Sequence, residues 1–264
     1  MPALWTEDCT LNVVVEGAGE PVTVFAHGLT NNAEELAIFT PLLTGTKVRF
    51  DFRGHGQSES PPEGSYRFAD FARDLRAVSD AYGATQAVGT SLGAGALGHL
   101  LAEDPDRYDR LVFLLPAGLD KPFTERDKYL QLADLLETLP LEEAVARILA
   151  DPERKKTYDS AKWIEEYERA SLMRMNAVGV PRAIRDVTLD WPLQDRELLA
   201  KVDAPTLVIA RDGDPVHPLE VATELQRIMP NAELISFPDG PSMFLAIPSL
   251  VPRIAAFLAG ARPA

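Results

Sequence analysis

The sequence predicts an α/β fold: a mostly parallel sheet flanked by helices, with a helical cap inserted into it. Three observations carry this. Short apolar runs alternate with amphipathic helical stretches up to about residue 117 and again from about residue 190, the rhythm of parallel strands joined by helical crossovers. Arg110–Leu115 is almost wholly apolar, as a strand covered on both faces should be. From about Gly118 to Leu189 there is no strand signal, only helix-forming stretches. The expected organisation is a core domain of residues 1–117 and 190–264, with a cap or lid at 118–189.

Taken in order, Leu11–Glu16 reads as an early strand ended by Gly17–Ala18–Gly19. Val22–Ala26 is a short buried strand running into His27–Gly28, and Ala33–Leu43 is expected to be a helix. Lys47–Phe50 is the next strand, followed by a loop rich in glycine and charge that Pro61–Pro62 keeps outside regular structure. Phe68, Phe71, Ala72, Leu75, Val78 and Tyr82 fall at helical spacing, with Asp70, Arg73, Asp74 and Arg76 outside. Within the cap, helices are expected at Arg126–Thr138, Leu141–Leu149, Ala161–Met175 and Arg182–Val187. Pro205–Ala210 resumes the strands, Pro218–Ile228 is a helix, Ala232–Phe237 the last strand, and Leu250–Leu258 a terminal helix.

Bulk properties narrow the function. The chain has 264 residues, 46% of them hydrophobic, which suits one packed α/β domain with an insertion. Its net charge of −14, from 26 basic and 40 acidic residues, argues against nucleic acid as a partner, because such binding needs a basic face. Cys9 is the only cysteine, so neither an intrachain disulfide nor a thiolate metal cluster can form. Glu7 and Asp8 interrupt any signal-peptide core, and no apolar run approaches the roughly 20 residues that cross a bilayer. A cytoplasmic protein with a small-molecule substrate, no membrane partner, no cofactor and no metal is expected. The oligomeric state is not legible.

The chemistry centres on Gly89–Thr90–Ser91–Leu92–Gly93, a G-x-S-x-G between a short apolar run and the small residues Ala94, Gly95, Ala96 and Gly98. This reads as a nucleophile elbow, a strand turning sharply into a helix with a serine at its tip. The glycines on either side relieve conflict with the neighbouring strand and helix. The stretch lacks the lysine of a phosphate-binding loop, and the four histidines are too scattered for metal-ligand spacing.

Three further motifs stand in register with the elbow: His27–Gly28 after a strand, D-x-R-G-x-G-x-S from Asp51 to Ser58, and Asp214–Pro215 after a strand. Together the four resemble the α/β-hydrolase family from about Val22 to the C-terminus, the cap excepted. The resemblance implies an α/β-hydrolase fold, Ser91 as nucleophile, and the backbone N–H groups of Leu29 and Leu92 as an oxyanion hole. It also implies Asp214 as the acid of a catalytic triad, preferred to Asp212 because the family's acid usually precedes this proline. His27 would organise the oxyanion loop or contact substrate.

The family's general base is a histidine after the last strand, and here that window reads Phe237–Pro238–Asp239–Gly240–Pro241–Ser242–Met243–Phe244. No histidine occurs between Gly240 and Ala264, which leaves the expected triad incomplete. A serine hydroxyl is a poor nucleophile without a base in hydrogen-bond reach. His99 lies eight residues beyond Ser91 on one helix, about 12 Å away, and His55 reads as a loop hydrogen bonder. His217, three residues after Asp214, is the remaining candidate for the base, provided one imidazole so near the acid can reach both it and Ser91.

Two functions stay open at this stage. One is a serine hydrolase of a small ester, lactone or amide. The alternative is a non-hydrolytic member of the same fold, a ligand binder or a lyase- or cyclase-type catalyst. Cap residues Trp163, Tyr167, Leu172, Met173 and Met175 are candidates for pocket walls or for the cap's own core. Met173 and Met175 have the best claim to substrate contact, because thioethers adapt to irregular ligands.

Overall fold

The computed structural model describes every residue except 1–2, 153, 156–157, 159–161 and 261–264. Eight strands form one sheet in the order β1-β2-β4-β3-β5-β6-β7-β8. They are β1 (Ala3–Trp5), β2 (Thr10–Gly17), β3 (Val22–Ala26), β4 (Thr46–Phe50), β5 (Gln86–Thr90), β6 (Arg110–Leu114), β7 (Thr206–Arg211) and β8 (Ala232–Phe237). The β1–β2 and β2–β4 pairs are antiparallel and all the others parallel.

Side-chain alternation along the parallel strands divides their apolar residues between two cores. Val24, Ala26, Ala87, Leu111, Phe113 and Val208 face one cluster, shared with Leu75, Leu97 and Leu100. Those last three lie on helices α1 (Phe68–Tyr82) and α2 (Leu92–Glu103). Phe25, Val88, Val112, Leu114, Leu207 and Ile209 face the other, against Leu250, Ile254 and Phe257 of the terminal helix. Both faces of the sheet are therefore covered, and β3 and β5 are buried throughout.

Between β6 and β7 the described residues form helices α3 (Arg126–Thr138), α4 (Leu141–Leu149), α5 (Lys162–Leu172) and α6 (Gly179–Val187). They bury an apolar cluster of their own that includes Ala133, Val145, Ile148, Ile164 and Ile184. Ala161, the expected start of one of these helices, lies outside the described residues. After β7 come α7 (Leu219–Ile228), then β8, α8 (Gly240–Leu245) and α9 (Ile247–Leu258). No helix among the described residues is long and apolar enough to cross a membrane.

Three elements depart from expectation. Ala33–Leu43 yields only a short 3-10 turn at Glu35–Phe39. Local side chains take up the backbone there: Asp51 accepts the Ala33 N–H, Asn32 the Glu34 N–H, and Thr40 Oγ1 donates to the Ala37 carbonyl. Strand β1 and helix α8 are additions, the first a three-residue edge strand and the second a single capped turn and a half.

The chain moves from β3 outward to β4, then returns to the other side of β3 to lay down β5. Such a reversal opens a crevice at the carboxyl ends of the two strands, where ligands bind in open parallel sheets. The loops after β3 and β5 are His27–Leu29 and Ser91. Close packing at this point depends on glycine. A Cβ on Gly93 would stand 2.1 Å from the Ala26 carbonyl oxygen, whereas one on Gly98 of the same helix meets nothing within 4 Å. Gly93→Ala is therefore expected to lower stability by about 3 kcal/mol. Gly98→Ala should leave it unchanged or raise it by up to about 1 kcal/mol. Urea unfolding midpoints of the two variants check the contrast, and equal midpoints would refute the packing argument.

Candidate active site

Ser91 stands at the end of β5 with φ 49° and ψ −110°, a conformation in which a non-glycine residue is strained by about 1–3 kcal/mol. The surroundings over-determine it. The Ser91 N–H donates to the Leu114 carbonyl and Gly93 N–H to that of His27, both at 3.0 Å. A Cβ on Gly89 would lie 2.6 Å from the Gly93 oxygen, so both glycines of the motif are required by backbone approach.

The turn after β3 presents one amide to the same place. The Gly28 carbonyl accepts from His27 Nδ1 at 2.8 Å and from the Asn31 N–H at 3.1 Å. In a trans peptide C=O and N–H point in opposite directions, so the Leu29 N–H is turned away from these donors. The next carbonyl, of Leu29, lies 2.6 Å from His55 Nε2. Among the described residues neither the Leu29 nor the Leu92 N–H has a protein acceptor, and both residues line the cleft that contains Ser91.

The acid and the base come from one loop, between β7 and α7. Asp214 Oδ1 accepts the N–H groups of Val216 at 3.0 Å and His217 at 3.3 Å. This Asx turn carries the chain back on itself. His217 Nδ1 then lies 2.9 Å from Asp214 Oδ2, and its Nε2 lies 2.9 Å from Ser91 Oγ. With Nδ1–H donating to the carboxylate, Nε2 is free to accept the serine proton. The geometric demand on His217 is met. The lack of a histidine after β8 does not leave Ser91 without an imidazole.

Arg211 completes this loop, donating to Asp214 Oδ2 from Nε at 2.9 Å and Nη2 at 2.6 Å. Burial alone would raise the Asp214 pKa. The His217 hydrogen bond and charge, with Arg211, outweigh it and hold the carboxyl well below its ordinary value. The segment after β8 is used differently: Asp239 accepts the Ser242 N–H and caps α8. A Cβ on Gly240 would stand 2.9 Å from an Arg211 guanidinium nitrogen, so the arginine occupies the space beside it.

The cleft over Ser91 is mostly apolar, walled by Leu29, Phe68, Leu92, Phe123, Pro192 and Val216, with Tyr129, Lys121 and Asp190 among its other lining residues. Three expected contacts are corrected here. His27 is fully buried behind the turn, its Nε2 accepting the Phe52 N–H at 3.0 Å. Burial and the neighbouring His55 push its pKa well down, so it is a neutral brace and no part of the cleft wall. Met175 packs into the apolar cluster of the inserted helices. Met173 is exposed, and neither methionine lines the cleft. Leu172 likewise belongs to that cluster, while Trp163 and Tyr167 are exposed and also absent from the wall. His99 bonds the Pro192 carbonyl at 2.7 Å, tying α2 to the wall.

Sequence reasoning missed Phe123, Tyr129 and Pro192, which carry no motif, and Arg211, whose spacing of three from Asp214 was the available signal. It also missed Glu35. One oxygen of this partly buried carboxyl accepts the Gly28 N–H at 2.7 Å, and the other accepts from Asn31 Nδ2 at 2.6 Å. A Cβ on Gly28 would be 3.4 Å from both oxygens and 3.6 Å from Ser91 Cβ. Burial pushes the Glu35 pKa up to about 7, against the lowering effect of those two donors.

A pH dependence of stability follows. The unfolded carboxyl titrates near ~4.3, so Glu35's contribution is fully present below that pH and is lost as the pH rises through about 7. Glu35→Gln should therefore gain stability relative to the unsubstituted protein between about pH 4.5 and 7.5, by roughly 1–3 kcal/mol, and then level off. Denaturant unfolding at a series of pH values measures this. A difference that stays constant across the range would contradict it.

Comparison with known proteins agrees with the geometry. Residues 21–245 match the family model described as the alpha/beta hydrolase fold. The AB hydrolase superfamily protein YisY of Bacillus subtilis (strain 168) is 29% identical over 248 residues, covering 88% of each chain. The 2-hydroxymuconate semialdehyde hydrolase of Pseudomonas putida is 27% identical over 194 residues, 71% of this chain and 66% of that one. Among solved structures, a hydrolase from Pseudomonas aeruginosa PA01 is 27% identical and superposes with a TM-score of 0.77 over 98% of both chains. The match spans the His27–Leu29 turn, the turn at Ser91 and the Asp214–His217 loop, and the chain belongs to the alpha/beta hydrolase fold family.

Proposed function

We propose that the protein is a serine hydrolase of a small ester, lactone or amide. The observation that carries this reading is the placing of one imidazole, His217, at 2.9 Å from both Asp214 Oδ2 and Ser91 Oγ. On this reading Ser91 Oγ attacks the substrate carbonyl while its proton passes to His217 Nε2. Asp214 holds the tautomer and stabilises the imidazolium. The Leu29 and Leu92 N–H groups take the charge that develops on the carbonyl oxygen, a contribution of about 3–4 kcal/mol per donor. Collapse of the tetrahedral intermediate returns the proton from Nε2 to the leaving alkoxide or amine. Water, deprotonated by the same histidine, then hydrolyses the acyl-enzyme and releases the acid.

The cleft supports a small and largely apolar substrate. Counting its open mouth and the solvent there it encloses about 530 Å³, and its walls are mainly hydrophobic, as small-molecule sites usually are. The insertion between β6 and β7 acts, in this proposal, as a cap that sets substrate choice through Phe123, which precedes α3, and Tyr129 on α3. The ligand-binder, lyase or cyclase alternative drew its support from the missing histidine after β8, and the contact between His217 and Ser91 favours the hydrolase over it.

A fluorophosphonate probe tests the reading directly. Ser91 should be labelled, and activated aryl esters turned over. His217→Ala should abolish labelling and lower kcat by about 10⁴–10⁶ in a variant that still folds. Labelling that survives His217→Ala would refute the base assignment. A protein that neither labels nor turns over aryl esters would refute hydrolysis altogether.

A further inference from the structure

The oxyanion turn is fixed peptide by peptide. The Gly28–Leu29 unit is held through its carbonyl by His27 and Asn31. The preceding unit, His27–Gly28, is held through its carbonyl by the Gly93 N–H and through its N–H by a single side chain, Glu35. Glu35 passes the connection on. Its second oxygen takes a proton of Asn31 Nδ2, and Asn31 Oδ1 accepts the hydroxyl of Ser171 on α5. A continuous chain of hydrogen bonds therefore runs from the turn beside Ser91 to the inserted helices.

No cation pairs with Glu35 among the described residues, and burial disfavours its charge. A perturbed carboxyl kept beside a nucleophile suggests a task there. We propose that Glu35 is a positioning residue, which anchors the Gly28 N–H so that the Leu29 N–H stays aimed into the cleft, and that Asn31 and Ser171 make this anchoring depend on the seating of α5. The proposal rests on the serine-hydrolase reading, since it assigns a role within that reaction. Without the anchor the His27–Gly28 peptide gains freedom and the Leu29 donor drifts from its line. Full loss of such a donor lowers kcat by about 10²–10³, and misalignment should produce part of that loss. Substrate binding to the apolar walls does not use the donor, so KM should hold.

The test is the kinetics of 4-nitrophenyl butyrate hydrolysis by the full chain and three variants. Glu35→Ala is expected to lower kcat by about tenfold or more with KM within about threefold. Glu35→Gln, whose amide oxygen can still accept the Gly28 N–H, should recover most of kcat. Ser171→Ala should lower kcat in the same direction by a few-fold, and it carries the test alone if Glu35→Ala does not fold. Unchanged kcat in Glu35→Ala or Ser171→Ala, a loss expressed only in KM, or a glutamine variant as impaired as the alanine one would overturn the proposal. An active unsubstituted protein with those results sinks this inference alone. A protein with neither turnover nor fluorophosphonate labelling sinks the hydrolase reading and this inference with it.

Discussion

The site depends on what one carboxylate does with its two oxygens. Asp214 Oδ1 closes an Asx turn through the N–H groups of Val216 and His217, and Oδ2 receives the imidazole of that same His217. An acid and a base three residues apart need a chain reversal to meet, and here the acid itself makes the reversal. Because the interaction is local, little loop-closure entropy is lost in forming it. Two neighbours flank it: Arg211 grips Oδ2 from the end of β7, and Pro218, immediately after the histidine, is the N-cap residue of α7. The imidazole points toward Ser91, at the end of β5.

Sheet topology brings the remaining parts to that point. Because the chain reverses direction across β3 and β5, the amide of Leu29 and the strained Ser91 emerge side by side. The elbow's strain is offset by packing that only glycine permits, Gly93 against the Ala26 carbonyl and Gly89 against Gly93. The D-x-R-G-x-G-x-S loop contributes at one remove. Asp51 binds the Asn12 side chain and the amides of Ala33 and Gln57, Arg53 is buried against Asp74, which lies on the inner face of α1 and not outside as its spacing predicts, and also pairs with Asp8, and His55 faces the Leu29 carbonyl. Its charges serve the scaffold, and its histidine serves the turn.

The parallel strands, their crossover helices and the elbow were legible because each depends on local patterning: apolar runs, helical spacing and glycine placement. Ala33–Leu43 forms no regular helix because Asp51, Asn32 and Thr40 satisfy the backbone, an outcome decided partly by Asp51, 18 positions from the Ala33 amide that it accepts. His217 could be nominated by elimination, but its reach could not be judged, since an Asx turn is chosen by geometry rather than by composition. The methionines were misplaced for a similar reason. Met173 and Met175 stand two positions apart near the end of α5, and only the packing of α3 through α6 decides that one enters their shared core while the other faces outward. Wall residues such as Phe123 and Pro192 come from irregular segments, where no periodicity announces a side chain's direction.

Two carboxyls flank the serine, and their environments push them apart. Asp214, hydrogen-bonded by His217 and Arg211, stays ionised far into acid. Glu35, partly buried and held only by neutral donors, has its pKa pushed up by burial to about 7. Opposed shifts of this kind are how a site assigns different tasks to chemically similar groups. On the proposed mechanism the assignment is coherent. A permanent negative charge belongs behind the histidine, where an imidazolium must be stabilised. Beside the oxyanion turn the same charge would work against the one forming on the substrate, and a carboxyl that gives up its charge readily opposes it less. It can still accept the Gly28 N–H through its carbonyl oxygen, so the group that shapes the turn need not be ionised when the oxyanion forms.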